Sequence, residues 1–156
     1  MKMNYRIAES KDIDLLVFRR AAFCEYMKKQ PLNGALNENL YAYFQKSLSS
    51  GSCIAILAED NQKCIGTGIV FFYDSVPSPF NVTGKNAYIT SIFVDEHYRN
   101  SGVATKILKD LISESVSRGY KKFYLSASDA GKPLYTKLGF QELSGNMMLD
   151  MDNFIN

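Results

Sequence analysis

Residues 97–112 read HYRNSGVATKILKDLI, and their order suits the binding of an anion. Val103, Ile107, Leu108, Leu111, Ile112 and Val116 recur at helical spacing, while Lys109, Asp110 and Glu114 fall on another face. The pattern predicts an amphipathic helix over 102–117, closed by Arg118 and Gly119. The first N–H groups of a helix have no partner inside it, and the helix dipole adds partial positive charge there. Gly102 has no side chain to obstruct those groups, so a phosphate can approach the backbone directly. Each charge-assisted hydrogen bond to a phosphate oxygen is worth about 1.5–3 kcal/mol. The local pattern equally allows Ser101 and Gly102 to do no more than start a helix. Familiar nucleotide fingerprints are absent: there is no GxxxxGK[ST], and GTGIVF at 66–71 lacks a third glycine and does not open a helix.

The elements that must position this turn follow from periodicity and punctuation. NYRIA over 4–8 reads as a short strand. Ser10 is the expected cap of a helix carrying Ile13, Leu16, Val17, Arg20, Phe23, Cys24 and Met27, which QPLNG at 30–34 ends. A second helix over 37–49 carries Leu40, Tyr43, Phe44 and Leu48. CIAILAE and KCIGTGIVFFY are two strands joined through DNQ as a hairpin. Residues 74–86 form a loop rich in turn formers, expected to be mobile without ligand. AYITSIFV (87–94) is a strand, and KKFYLSA (121–127) is another. A short helix around 130–138 precedes FQELSGNMMLDM, expected as a hairpin or bent strand. The order β-α-α-β-β-β-α-β-α-β-β implies one mixed α/β domain over 1–156.

Composition narrows the function. The 156 residues are 46% hydrophobic and 22% charged, enough apolar material to bury a core without disulfides or metal. No apolar run is long enough to cross a membrane, and the start lacks the apolar core of a signal peptide. Three cysteines, Cys24, Cys53 and Cys64, form no CxxC pair. They argue against a disulfide framework or metal site and for a reducing, cytoplasmic setting. A net charge of +2 is too small for a nucleic-acid binder.

Arg99-Asn100-Ser101-Gly102-Val103-Ala104 resembles the [Q/R]-x-x-G-x-[G/A] signature of the GNAT superfamily of acyl-CoA-dependent N-acetyltransferases. PLYTKLGF (133–140) is similar to that family's second hallmark, a helix-to-strand corner, and the element order agrees along the chain. The resemblance implies a central, mostly antiparallel twisted sheet, splayed at the cofactor site and flanked by helices. It implies that acetyl-CoA is the co-substrate and that no metal takes part. It assigns the CoA pyrophosphate to the amides of Arg99, Asn100, Ser101, Gly102, Val103 and Ala104. The pantetheine arm would run beside the backbone of Ile92, Phe93 and Val94, where an N–H can polarise the thioester carbonyl. Tyr135 would protonate the leaving thiolate. Read without the family, Tyr135 is a half-buried helix tyrosine between Leu134 and Leu138.

The departures from the family are specific. Ser128 stands seven positions before Tyr135, where many members carry a cofactor-touching asparagine. YITSIFV has no carboxylate, so the usual strand base is missing; Glu25, Asp74 and His97 are weaker candidates. The family builds its acceptor pocket from the first two helices and loops near the central strands. Here that material holds Phe23, Tyr26, Tyr41, Tyr43, Phe44, Phe72, Tyr73 and Phe80, which suit an amphipathic or cationic amine or simply fill the core. The implied reaction moves an acetyl group to a primary amine, on a small molecule or a peptide, by direct attack. The alternative is a non-catalytic acyl-CoA-binding or sensing module. Neither nucleic acid nor membrane is an expected partner, and a homodimer is compatible with the resemblance.

Overall fold

The longest apolar runs make the middle of the sheet. A computed structural model describes residues 2–29 and 34–153, in two compact units, Met1–Ser126 and Ala127–Asn156. In the first unit the order is β1 (Met3–Ile7), α1 (Ile13–Lys28), α2 (Gly34–Ser50), β2 (Cys53–Asp60), β3 (Lys63–Asp74), β4 (Lys85–Val94), α3 (Val103–Ser117) and β5 (Phe123–Leu125). The five strands lie in sequence order; only β4–β5 is parallel. β2 is apolar on both faces because both are covered. Leu16, Val17 and Phe44 pack with Cys53, Ala55 and Leu57 on the side of α1 and α2. Val103, Ile107, Leu108 and Leu111 are buried along α3, each such side chain contributing about 1.5–3 kcal/mol.

GTG at 66–68 has a packing role. A β-carbon on Gly68 would stand 2.4 Å from Ile107 Cγ2, 2.7 Å from Ile92 Cδ1 and 3.0 Å from Leu111 Cδ1. One on Gly66 would meet Ile107, Val103 and Val94. The two glycines let α3 lie close against the sheet.

Two features of β4 matter for function. Its pairing with β5 covers only Ala87–Ile89, so the sheet splays and residues 90–94 have no described strand on that side. Its pairing with β3 shifts, because Thr67 opposes Phe93 while Ile69 opposes Thr90. The extra residue is a bulge, with Ser91 in the left-handed region at φ +54°.

Two expectations about the helices are corrected. Ser10 opens a short 3-10 turn, Ser10–Asp12, and the cap is Glu9, whose N–H donates to Asp12 Oδ2 at 2.8 Å. Val116 is 49% exposed, and Ser115 takes the buried place, its hydroxyl donating to Leu111 O at 2.7 Å. The breaker QPLN at 30–33 lies outside the described residues. The loop before β4 is pinned through buried Asn86, whose amide donates to Ser75 Oγ at 2.9 Å and Gly84 O at 2.8 Å. Its apolar residues Val76, Phe80 and Val82 point outward.

The second unit contains α4 (Lys132–Lys137) and a closing 3-10 turn, Met151–Asn153. Pro133 sits in the first turn of α4, where its missing N–H costs nothing. The expected C-terminal hairpin is absent: 141–150 has no strand. Gly145 takes a left-handed φ of +96° within this run, and an isolated two-stranded ribbon is only marginally stable in water.

Candidate active site

The turn between β4 and α3 is built to leave backbone donors open. Tyr98 anchors it by donating its hydroxyl to Asp60 Oδ2 at 2.8 Å. Asn100 and Gly102 take left-handed φ of +59° and +86°. Gly102 is the N-cap of α3 and has no side chain to supply a capping acceptor. The first helix bond, from Lys106 N–H to Gly102 O, comes four residues later at 3.0 Å. Among the described residues, none of the N–H groups of 100–105 meets an acceptor in good hydrogen-bond geometry. A β-carbon on Gly102 would meet nothing within 4 Å, so the space in front of these groups is open. Six consecutive unmatched donors at a helix start can hold an anion with several oxygens.

Arg99 serves this turn differently from its neighbours. Its N–H donates to Glu96 O at 3.2 Å and so is already engaged. Its side chain donates from Nε to Val94 O at 3.1 Å and lies over the Tyr26 ring at 5.2 Å. Arg99 therefore ties the strand end to α1. Val103 turns its side chain into the core while its N–H faces the turn.

Side-chain direction along β4 is set by the bulge. Ile92 and Val94 lie beneath α3, next to Gly68 and Gly66. Phe93 faces α1, edge-on to Phe23 at 5.9 Å and against Tyr26 at 5.6 Å. Arg19 is buried there. It pairs with Asp95 at 2.6 Å, donates to Phe93 O at 3.3 Å and stacks on Phe93. The bulge also turns Thr90 and Ser91 together toward α1, where Arg20 Nη1 donates to Thr90 Oγ1 at 3.1 Å and Ser91 Oγ at 2.6 Å.

Sequence reasoning missed Arg19, the bulge and the Arg20 clamp. The one available signal was the adjacent arginine pair on a helix face otherwise expected to be apolar. Of the aromatic candidates, Phe44 is core and Phe72 stacks on Tyr120 at 4.0 Å. Phe80 is exposed. Glu25, Asp74 and His97 are exposed, and β4 carries no carboxylate.

In the second unit, Ser128 Oγ accepts from Gly131 N–H at 3.2 Å at the start of α4 and keeps its own O–H to donate. Tyr135 is half-buried and edge-on to Phe140 at 5.9 Å. Burial pushes its phenol above the ordinary value, so it keeps its proton at neutral pH. No described residue accepts from or donates to that hydroxyl. Among the described residues no group of three His, Cys, Asp or Glu could hold a metal, and no helix is long and apolar enough to cross a membrane. Cys24, Cys53 and Cys64 are free thiols.

The sequence pattern of the Acetyltransferase (GNAT) family matches residues 20–140. The chain belongs to the GNAT acetyltransferase family. A solved structure of a predicted acetyltransferase with acetyl-CoA from Clostridium acetobutylicum is 32% identical. It superposes with a TM-score of 0.92 over 99% of this chain and 100% of that one. The mouse (Mus musculus) thialysine N-epsilon-acetyltransferase is 34% identical over 83 residues, 51% of this GNAT chain and 46% of that protein. The glucosamine 6-phosphate N-acetyltransferase of Trypanosoma brucei brucei is 36% identical over 64 residues, 41% of this chain and 44% of that protein. The alignments thus span about half the length of these curated relatives. The mixed α/β fold, with its open, mostly antiparallel five-stranded sheet, is that of its GNAT neighbours.

Proposed function

We propose that the chain is an acetyl-CoA-dependent N-acetyltransferase, working as one domain over 1–156. The observation that carries this reading is the row of unmatched N–H groups at 100–105 beside the half-paired end of β4. The amides of Asn100, Ser101, Gly102, Val103 and Ala104 hold the pyrophosphate, with Arg99 fixing the turn. The open edge at Ile92, Phe93 and Val94 takes the pantetheine arm and offers an N–H to the thioester carbonyl. Tyr135, a role carried by the family resemblance, hands its proton to the departing thiolate. The relatives named for thialysine and glucosamine 6-phosphate support an amine as acceptor. The three free thiols fit a reducing compartment such as the cytoplasm.

The missing β4 carboxylate favours a second reading, a module that binds acyl-CoA without turnover. One experiment separates the two. Thiol release from acetyl-CoA is followed over a panel of amines, beside calorimetry of acetyl-CoA binding. Binding with turnover supports the enzyme; binding without turnover on any amine supports the sensor. Gly102→Val should weaken acetyl-CoA binding by about tenfold or more, since its side chain fills the open space and each lost bond to phosphate is worth about 1.5–3 kcal/mol. Unchanged affinity in that variant removes the turn from the site.

A further inference from the structure

We infer that Arg20 is the recognition point for an anionic group on the acceptor, so that the preferred substrates are small amines also carrying a carboxylate or phosphate; this rests on the acetyltransferase reading. The two hydroxyls at the β4 bulge occupy Nη1 of Arg20. Its Nε and Nη2, with three further N–H donors, have no acceptor among the described residues. No described carboxylate lies within 4.0 Å of Arg20, whereas Arg6 has Asp12 and Glu59, and Arg19 has Asp95. The neighbours cannot balance the charge. Phe23 lies under the guanidinium at 5.4 Å. Tyr43 stays neutral, burial pushing its phenol up to about 12. A half-buried guanidinium with an open fork and no counter-charge among the described residues fits a planar carboxylate or a phosphate.

Its position ties this to the reaction. Thr90 and Ser91 directly precede Ile92–Val94, the backbone assigned to the acyl group, and all belong to one stretch of β4. An anion held by Arg20 places the acceptor amine close to that backbone, which favours compact acceptors. If Arg20 only secured Ser91 in its left-handed conformation, a neutral donor would do as well.

The test compares matched acceptors: an amino acid with its carboxamide, and an amino-sugar phosphate with the unphosphorylated amino sugar. The wild-type kcat/KM should favour the anionic member of at least one pair by about ten- to hundredfold, and the pair that responds identifies carboxylate or phosphate. Arg20→Gln keeps N–H donors for Thr90 and Ser91 but should abolish the preference, mainly through KM of the anionic acceptor. Arg20→Lys should keep part of it. Differences in amine basicity within a pair cancel when the proteins are compared. Should Arg20→Gln fail to fold, the wild-type preference must still shrink as salt rises. Equal use of both members, or a preference that survives in Arg20→Gln, overturns the inference and leaves the acetyltransferase reading in place. Bound acetyl-CoA with no amine acetylated overturns both.

Discussion

At the residue scale, Tyr135 carries the chemical expectation most open to test. A phenol can donate to a departing thiolate only while it holds its proton. Burial raises the Tyr135 phenol above its ordinary value of 10.0, so the proton-bearing form persists beyond pH 10. An alkaline fall in kcat centred well below that pH points to another group. Tyr135→Phe keeps the ring against Phe140 and removes only the hydroxyl. Turnover should drop by about a hundred- to ten-thousandfold, with acetyl-CoA affinity and melting temperature nearly unchanged. Full turnover on a good acceptor, with chemistry limiting the rate, would remove Tyr135 from the mechanism. The place of Gly102 at the mouth of α3 was legible because it sits in a motif of fixed spacing. Arg20 was not. In the sequence it is one more residue at helical spacing; its meaning depends on a register shift 70 residues away.

Among the elements, α3 shows why a helix start can be kept open. Its core face holds the helix against the sheet, so the first turn needs no side-chain cap. That close seating depends on Gly66 and Gly68, which sequence reasoning could only exclude as a nucleotide motif. Gly68→Ala forces its new carbon to 2.4 Å from Ile107 and 2.7 Å from Ile92. Overpacking of this kind costs about 1–3 kcal/mol. The expected outcome is a lower denaturation midpoint together with weaker acetyl-CoA binding, because α3 and its open mouth shift as one piece. If Gly68→Ala leaves both values unchanged, the close seating of α3 is not what holds the turn. The strands and helices were legible from period 2 and period 3.6. The bulge was not, since TSI reads as ordinary strand and only the pairing of β3 with β4 reveals the extra residue. The C-terminal hairpin failed because apolar letters suggest a strand, but two short strands alone are only marginally stable.

For the whole molecule, the mixed α/β order was legible because long apolar strands alternate with amphipathic helices, whereas the ion pairs that lock the layers were not. Their partners are distant in sequence and each letter alone reads as surface charge. Arg6 on β1 is the example. It donates through Nη1 and Nη2 to both oxygens of Asp12 at 2.8 Å, and through Nε to Glu59 Oε1 at 2.9 Å. It thereby joins the first strand, the turn before α1 and β2. The hydrogen bonds from Arg6 outweigh burial and hold the Asp12 carboxyl below its ordinary value of 3.8. A carboxyl depressed in the folded state binds its proton more readily when unfolded. Its stabilising contribution is therefore complete above the ordinary value, and it is lost as pH falls from there through the lower folded value. Asp12→Asn removes the charge while keeping one acceptor. It should cost about 1–3 kcal/mol at pH 7, between a surface pair and a fully buried one, because Arg6 is partly exposed. For a chain of this size that is a melting temperature lower by about 3–10 °C. The gap between wild type and variant should close as pH drops below the folded value of Asp12, since both then lack the charge. Melting curves taken from pH 7 down to pH 2 decide the point. A gap that stays constant across the series means that Asp12 stabilises through packing and its bond to the Glu9 N–H, and not through its pairing with Arg6.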